Sequence, residues 1–269
     1  MSLNKLNIAV AGATGYVGLD LIFYLSKHPN VKISYLCAQK KIGNNIQQFD
    51  KRIKKKLPKI SNLKNVNWKK VDVLYLSLPN GQAQKITKQL FKYNHLKFID
   101  LSADFRIENA IKYKKWYSTN HSAKHLIKKS IYSIPELTKN KIKKYRIIAN
   151  PGCYPTSVQL ALVPLISKSL IETDDIIIDS KSGYSGAGKN YKNKFNHKNI
   201  ESSIFAYGIE KHRHMSELDQ QFKKIVKNKL EYSFNPHLIP TFRGIVSTMY
   251  LKTKKNIEIK KIYKEIKKF

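Results

Sequence analysis

Apolar positions recur along the first half of the chain as short apolar-rich runs, each followed by a polar turn. Leu6 to Ala11, Val31 to Cys37, Val71 to Leu78, Lys97 to Ser102 and Arg146 to Ala149 have this form. Short runs of this kind predict buried strands, as in a parallel sheet. Between them, Leu21, Ile22 and Leu25 carry helical spacing, and Gln82 to about Tyr93 predicts a second helix. Beyond residue 150 the texture changes. A helix is predicted from Pro155 through Val158, Leu162, Leu165 and Ile166, a strand over Asp175 to Lys181, and a helix through Leu218 and Phe222. His237 to Gly244 then runs into a strand from Ile245 to Leu251, and Lys252 to Phe269 reads as a polar, lysine-rich helix or tail. No internal repeat is evident. The pattern predicts an α/β domain over 1–150 and an α+β domain over 151–269.

The first turn carries chemistry. Gly12-Ala13-Thr14-Gly15-Tyr16-Val17-Gly18 stands between a strand and a helix, the context of a Rossmann-type dinucleotide-binding loop. There, glycines admit a pyrophosphate to the helix N-terminus. The spacing is Gly-x-x-Gly-x-x-Gly, so the context rather than the motif supports the reading. After the second strand, Ala38-Gln39-Lys40-Lys41 offers lysines where an NAD site would place a carboxylate for the ribose hydroxyl, which points to NADP. Pro79, in Pro79-Asn80-Gly81, and Arg106, in Ala103-Asp104-Phe105-Arg106, leave the C-terminal ends of two further strands, where open α/β sheets place ligands.

In the second half, Cys153 lies between Gly152 and the Pro155 helix. Unpaired N–H groups at a helix start favour an anion, so a thiolate is stabilised and Cys153 reads as a nucleophile. Lys211-His212-Arg213-His214 supplies two histidines, either of which could be its acid/base partner. Ser182-Gly183-Tyr184-Ser185-Gly186-Ala187-Gly188 is a second glycine loop able to present backbone N–H groups to an anion. His121 and His125 have metal-like spacing, but their polar, lysine-flanked setting adds no further ligands. They read as surface histidines, and no metal site is expected.

Composition narrows the class. The chain has 269 residues with 51 Lys+Arg against 18 Asp+Glu, a net charge of +33. Only Arg52, Arg106, Arg146, Arg213 and Arg243 are arginines, whereas readers of bases and phosphates favour the guanidinium fork. Lysines spread among abundant Asn and Ile fit mutational bias in an A/T-rich genome, and no specific nucleic-acid partner is expected. No apolar run approaches the ~18 residues of a membrane span. Two cysteines make no disulfide framework, and with no secretory leader apparent a reduced, cytoplasmic setting is expected.

Six motifs in order, Gly-Ala-Thr-Gly-Tyr-Val-Gly, Ser-Leu-Pro-Asn-Gly, Asp-Leu-Ser-Ala-Asp-Phe-Arg, Asn-Pro-Gly-Cys-Tyr-Pro-Thr, Ser-Gly-Tyr-Ser-Gly-Ala-Gly and Lys-His-Arg-His, make the chain resemble the N-acetyl-gamma-glutamyl-phosphate reductases of arginine biosynthesis over nearly its whole length. The related aspartate-semialdehyde dehydrogenases share the architecture, but their cysteine and histidine motifs read differently. The resemblance implies a homo-oligomeric oxidoreductase with a substrate/dimerisation domain of that type. It implies NADPH-dependent reduction of an acyl phosphate to its semialdehyde through a thioester on Cys153, with His212 as acid/base and His214 as the alternative. Gly12, Thr14, Gly15, Tyr16, Val17, Gly18, Lys40 and Pro79 would then bind NADP(H), and Arg106, Ser182, Ser185, Arg213 and Arg243 the anionic substrate. Ser182 stands where the aspartate-semialdehyde relatives carry a glutamine near the thioester. Ser157 replaces a small residue, and Met215-Ser216-Glu217 lacks the family's proline before the glutamate. Lys252 to Phe269 does not resemble the family's closing helix, so the second domain is expected to be incomplete at its C-terminus. The alternative is a catalytically degenerate remnant that binds polyanions through its charge.

Overall fold

The computed structural model of the chain describes residues 4–195, 199–226 and 230–268. It divides into two compact units, Met1–Asn150 and Pro151–Phe269. The first unit runs β1 (Leu6–Ala11), α1 (Tyr16–Lys27), β2 (Val31–Cys37), β3 (Ile60–Ser61), β4 (Val73–Leu76), α2 (Gln82–Leu90), β5 (Lys97–Asp100), α3 (Ala110–Tyr117), β6 (Ser130–Tyr132), α4 (Pro135–Thr138) and β7 (Ile147–Ala149). Its seven strands are all parallel, in the order β3-β2-β1-β4-β5-β7-β6. β1 shows why its sequence lacks polar alternation. Ile8 and Val10 enter a core with Leu19, Ile22 and Leu36, while Ala9 and Ala11 enter another with Leu74, Leu76 and Phe98. With both faces buried over residues 8–11, all four of these positions are apolar. Strand order reverses at β1 and β4, which opens a crevice at the carboxyl ends of these strands.

Several expected elements are shorter here, with β4 covering only Val73–Leu76, β5 only Lys97–Asp100 and α2 ending at Leu90. The surface reading of His121 is wrong. His121 is 2% exposed, with the rings of Phe105 and Tyr113 edge-on at 5.2 and 5.1 Å. Its Nε2 donates to the Asp104 carbonyl at 2.8 Å, and its Nδ1 accepts the Ala123 N–H. Burial lowers its pKa, so the ring is neutral and structural. His125 is exposed, and no metal-ligating cluster occurs among the described residues.

The second unit runs α5 (Cys153–Ser167), β8 (Ile176–Gly183), α6 (Tyr191–Phe195), β9 (Phe205–Ala206), α7 (Met215–Phe222), β10 (Tyr232–Ile239), β11 (Ile245–Tyr250) and α8 (Ile259–Ile266). Its mixed sheet has the order β11-β8-β10-β9, parallel between β8 and β10 and antiparallel at both outer pairs. One core gathers Val158 and Leu162 of α5, Ile176 and Ile178 of β8, and Leu218 and Phe222 of α7. Along β8 the next residue out, Ile177, is exposed, as are Val246 and Tyr250 of β11. The expected polar tail contains α8, whose Ile262 packs against this core while Ile259 and Tyr263 stay exposed; Phe269 lies outside the described residues. No helix among the described residues is long and apolar enough to cross a membrane.

Candidate active site

The start of α5 is built around Gly152. Its backbone is extended, φ −65° and ψ 159°, and no side chain caps the helix. Its N–H donates instead to Glu217 Oε2 at 2.8 Å, a carboxylate with no solvent exposure. Glu217 sits in the first turn of α7, and its other oxygen lies 3.9 Å from Nε2 of His214, the residue that opens the helix. A Cβ on Gly152 would lie 2.7 Å from His214 Cδ2 and 2.9 Å from Glu217 Oε1, so only glycine lets the three groups meet. The next residue is Cys153, exposed at the first position of α5. The other cysteine, Cys37, is buried, and burial pushes its thiol up to about 11; it remains a thiol at neutral pH.

His212 is placed differently. Its ring lies edge-on to Tyr154, Tyr207 and Phe234 at 5.5, 5.4 and 5.6 Å, and 4.7 Å from the His214 ring. Its Nδ1 accepts the His214 N–H at 3.2 Å, so the neutral ring carries its proton on Nε2. Beside it, the Tyr154 hydroxyl donates to the His237 carbonyl at 3.2 Å, which leaves Tyr207 as the donor in their 3.1 Å contact. Burial raises the pKa of both phenols. The sequence thus brings a thiol, two imidazoles, a buried carboxylate and two phenols into one unit. Tyr207 and Glu217 were not singled out from the sequence, though Glu217 falls in the first turn after the histidine motif.

The second glycine loop packs against a neighbouring turn. Gly183, Tyr184 and Ser185 donate their N–H groups to the carbonyls of Gly244, Thr241 and Phe242 at 2.9–3.0 Å, and Gly188 donates to Ser185. The turn at residues 241–244 therefore occupies the first three of these loop donors. Ser182 is buried, with its hydroxyl on the Gly183 carbonyl at 3.0 Å, and Ser185 lies in the short 3₁₀ turn that follows. Arg213 and Arg243 are exposed, the latter with its guanidinium 5.0 Å from the Phe242 ring centroid. Arg106 belongs to the first unit and is 8% exposed. It donates to the carbonyls of Asn150 and Leu101 at 2.8 and 3.2 Å, which ties together the chain leaving β7 and β5.

The first unit holds a cavity of about 730 Å³ at the crevice beside β1, and Gly12, Thr14, Gly15, Lys40 and Pro79 all line it. Tyr16, Val17 and Gly18 are not among its lining residues. Gly12 has φ +83°, and a Cβ there would lie 2.8 Å from the Ser77 carbonyl carbon. A Cβ on Gly18 would meet the Gly12 carbonyl carbon at 3.1 Å, so Gly18 serves the packing of α1 on the turn. The close-packed glycine turn, the helix start and the lysine-bearing wall fit a phosphorylated dinucleotide.

A dinucleotide-type sheet joined to a mixed-sheet unit with a thiol at a helix start defines a class, and comparison with known families agrees. Residues 7–145 match the semialdehyde dehydrogenase NAD binding domain, and residues 153–269 match the semialdehyde dehydrogenase dimerisation domain. Aspartate semialdehyde dehydrogenase II from Vibrio cholerae shares the fold, with a TM-score of 0.73 at 16% identity over 98% of this chain and 79% of that one. Within this class the chain belongs to the N-acetyl-gamma-glutamyl-phosphate reductase family. A reductase of that name from Brachyspira hyodysenteriae is 41% identical over 98% of this chain and 77% of its own length. The protein from Arabidopsis thaliana named as a probable chloroplastic reductase of this kind is 37% identical over 97% of this chain. The chain spans 65% of the length of that plant relative and 63% of its rice counterpart.

Proposed function

We propose that the protein catalyses the NADPH-dependent reduction of N-acetyl-L-glutamyl 5-phosphate to N-acetyl-L-glutamate 5-semialdehyde and phosphate, with the first unit binding cofactor and the second carrying the chemistry. The observation that carries this reading is the convergence of His214 and Glu217 on Gly152, directly before an exposed cysteine at a helix N-terminus. The Cys153 thiolate attacks the acyl carbon, the carbon–oxygen bond to phosphate breaks, and phosphate leaves with the electron pair. Bound NADPH supplies the hydride that reduces the resulting thioester. The alkoxide of the thiohemiacetal then expels Sγ, which frees the aldehyde and restores the thiolate. His214, not His212, is the acid/base in this reading, because its Nε2 lies beside the residue preceding the nucleophile, 3.9 Å from the buried Glu217 carboxylate. His212 forms the wall with Tyr154 and Tyr207. Arg213 and Arg243 are the exposed cations offered to the substrate's carboxylate and phosphate. The open sheet face bearing Ile177, Val246 and Tyr250 supports a homo-oligomer.

The test is the reverse reaction, phosphate-dependent reduction of NADP by N-acetylglutamate 5-semialdehyde. Activity that is absent in Cys153→Ser and restored by no other thiol is the expected result. A folded wild-type chain with no activity would overturn the reading.

A further inference from the structure

The cavity of the first unit has an outer wall that the glycine loop does not supply. β2 and β3 pair in parallel at Leu36↔Ile60 and Cys37↔Ser61, and the Ala38 N–H extends this pairing to the Ser61 carbonyl at 3.2 Å. Parallel neighbours lie about 4.8 Å apart, so the two segments leave the same end of the sheet side by side. One continues into Ala38-Gln39-Lys40 and the other into Asn62-Leu63-Lys64, and both lysines line the cavity. Each segment is held in place. Behind Lys40, the Gly43 N–H bonds to the Ile60 carbonyl at 2.8 Å and the Ile60 N–H to the Asn44 carbonyl at 3.0 Å. The Asn62 side chain accepts the Lys64 N–H at 3.0 Å and shapes that turn. Trp68 opens the next turn and, with Ile86 of α2, packs against the unit's core while lining the same cavity. No acidic side chain lines the cavity among the described residues.

We propose that Lys64 acts with Lys40 as a two-lysine clamp for the 2′-phosphate of the cofactor, and that Trp68 and Ile86 form the slot for its adenine. This rests on the cofactor reading above and adds a selectivity element on the β3 exit. A dianionic phosphate between two ammonium groups gains charge-assisted hydrogen bonds that an unphosphorylated ribose cannot make. An indole face gives the base a stacking surface that needs no specific hydrogen bond. Lys40 alone, on an exposed turn, would discriminate weakly.

The chain has two tryptophans, Trp68 and Trp116, so a full-length Trp116→Phe protein reports on Trp68 alone. Titration with 2′,5′-ADP and 5′-AMP is followed by tryptophan fluorescence, with NADPH binding measured in parallel. Both nucleotides are expected to quench Trp68. Lys64→Ala should weaken 2′,5′-ADP about tenfold and leave 5′-AMP unchanged, the size expected for one hydrogen bond to a charged group. Lys64→Arg should recover most of that loss. Lys69→Ala, which removes the same charge from a side chain outside the cavity lining, should have no effect. Equal weakening of both nucleotides, or an equal effect of Lys69→Ala, would show only the pull of net charge and overturn the clamp. If Lys64→Ala changes nothing while NADPH still binds, the clamp fails and the cofactor reading stands. If a folded chain binds none of the three nucleotides, both fall.

Discussion

Replacing Gly152 by alanine tests the site at its tightest point. The backbone there tolerates any residue, with φ at −65°, so the effect comes from the methyl group alone. A carbon–carbon contact relaxes at about 3.5–4.0 Å, whereas the new Cβ would lie 2.7 Å from His214 Cδ2 and 2.9 Å from Glu217 Oε1. The imidazole must therefore retreat by roughly 1 Å, a displacement that can cost about 100-fold in rate when it separates reacting groups. Overpacking of this kind costs about 1–3 kcal/mol, partly offset by the ~0.4–1 kcal/mol that alanine gains through a less mobile unfolded chain. The variant should fold with a midpoint slightly below that of the parent, react with iodoacetamide at Cys153 at a near-parental rate, and lose about two orders of magnitude in kcat. Three measurements decide it: urea unfolding, thiol alkylation and turnover. A folded Gly152→Ala protein within about threefold of parental kcat would refute the assignment of His214 and Glu217, since ~1 Å of displacement could not leave a working acid/base untouched.

The two histidines should separate under substitution. His214→Gln is expected to reduce kcat by about 10²–10⁴, the usual worth of a positioned acid/base, while His212→Gln should mainly cost stability, about 1 kcal/mol for its lost aromatic contacts. The reverse ranking of kcat would return the role to His212. Asp100 gives a pH signature. Burial, outweighing the donors Ser102 and Phe105, raises its carboxyl from 3.8 to about 6. Between these values the folded chain holds a proton that the unfolded chain releases, so stability is highest below the unfolded pKa and falls as pH rises through about 6. The gap corresponds to roughly 3 kcal/mol. Urea unfolding of wild type and Asp100→Asn from pH 4 to 7 should show that slope only in the wild type; parallel curves would refute it.

The sequence made the first unit more legible than the second, and the reason is periodicity. β1, β2 and α1 lie where runs and spacing placed them, because stretches buried on both faces, such as residues 8–11, are apolar throughout. β10 escaped, since Pro236 interrupts Tyr232–Ile239 and a proline argues against a central strand. The structure accommodates it because β9 pairs only with His237 and Leu238, which leaves most of the outer edge of β10 without ladder bonds to β9. His121 escaped for another reason. Its flanks are polar, yet burial follows from Phe105 and Tyr113, which approach it from separate segments.

The same distinction separates the legible from the illegible parts of the site. Cys153, the glycine loop and Lys40 stand out in the sequence because each reading depends on local backbone or on residues next in sequence. Glu217 does not, because its role is fixed by a hydrogen bond to a backbone N–H sixty-five residues away, and no spacing rule encodes that distance. What the sequence does carry is the consequence at the other end. Gly152 has an ordinary φ, and its value lies in having no side chain where His214 and Glu217 arrive. Its explanation therefore requires the fold, even though the glycine itself was visible from the start. The second glycine loop teaches the converse, since Gly183 is excluded from bearing a side chain by the backbone at Thr241 to Arg243, not by a ligand. Two glycine signals that look alike in sequence thus arise from different causes: the approaching side chains of His214 and Glu217 in one case and a neighbouring turn in the other.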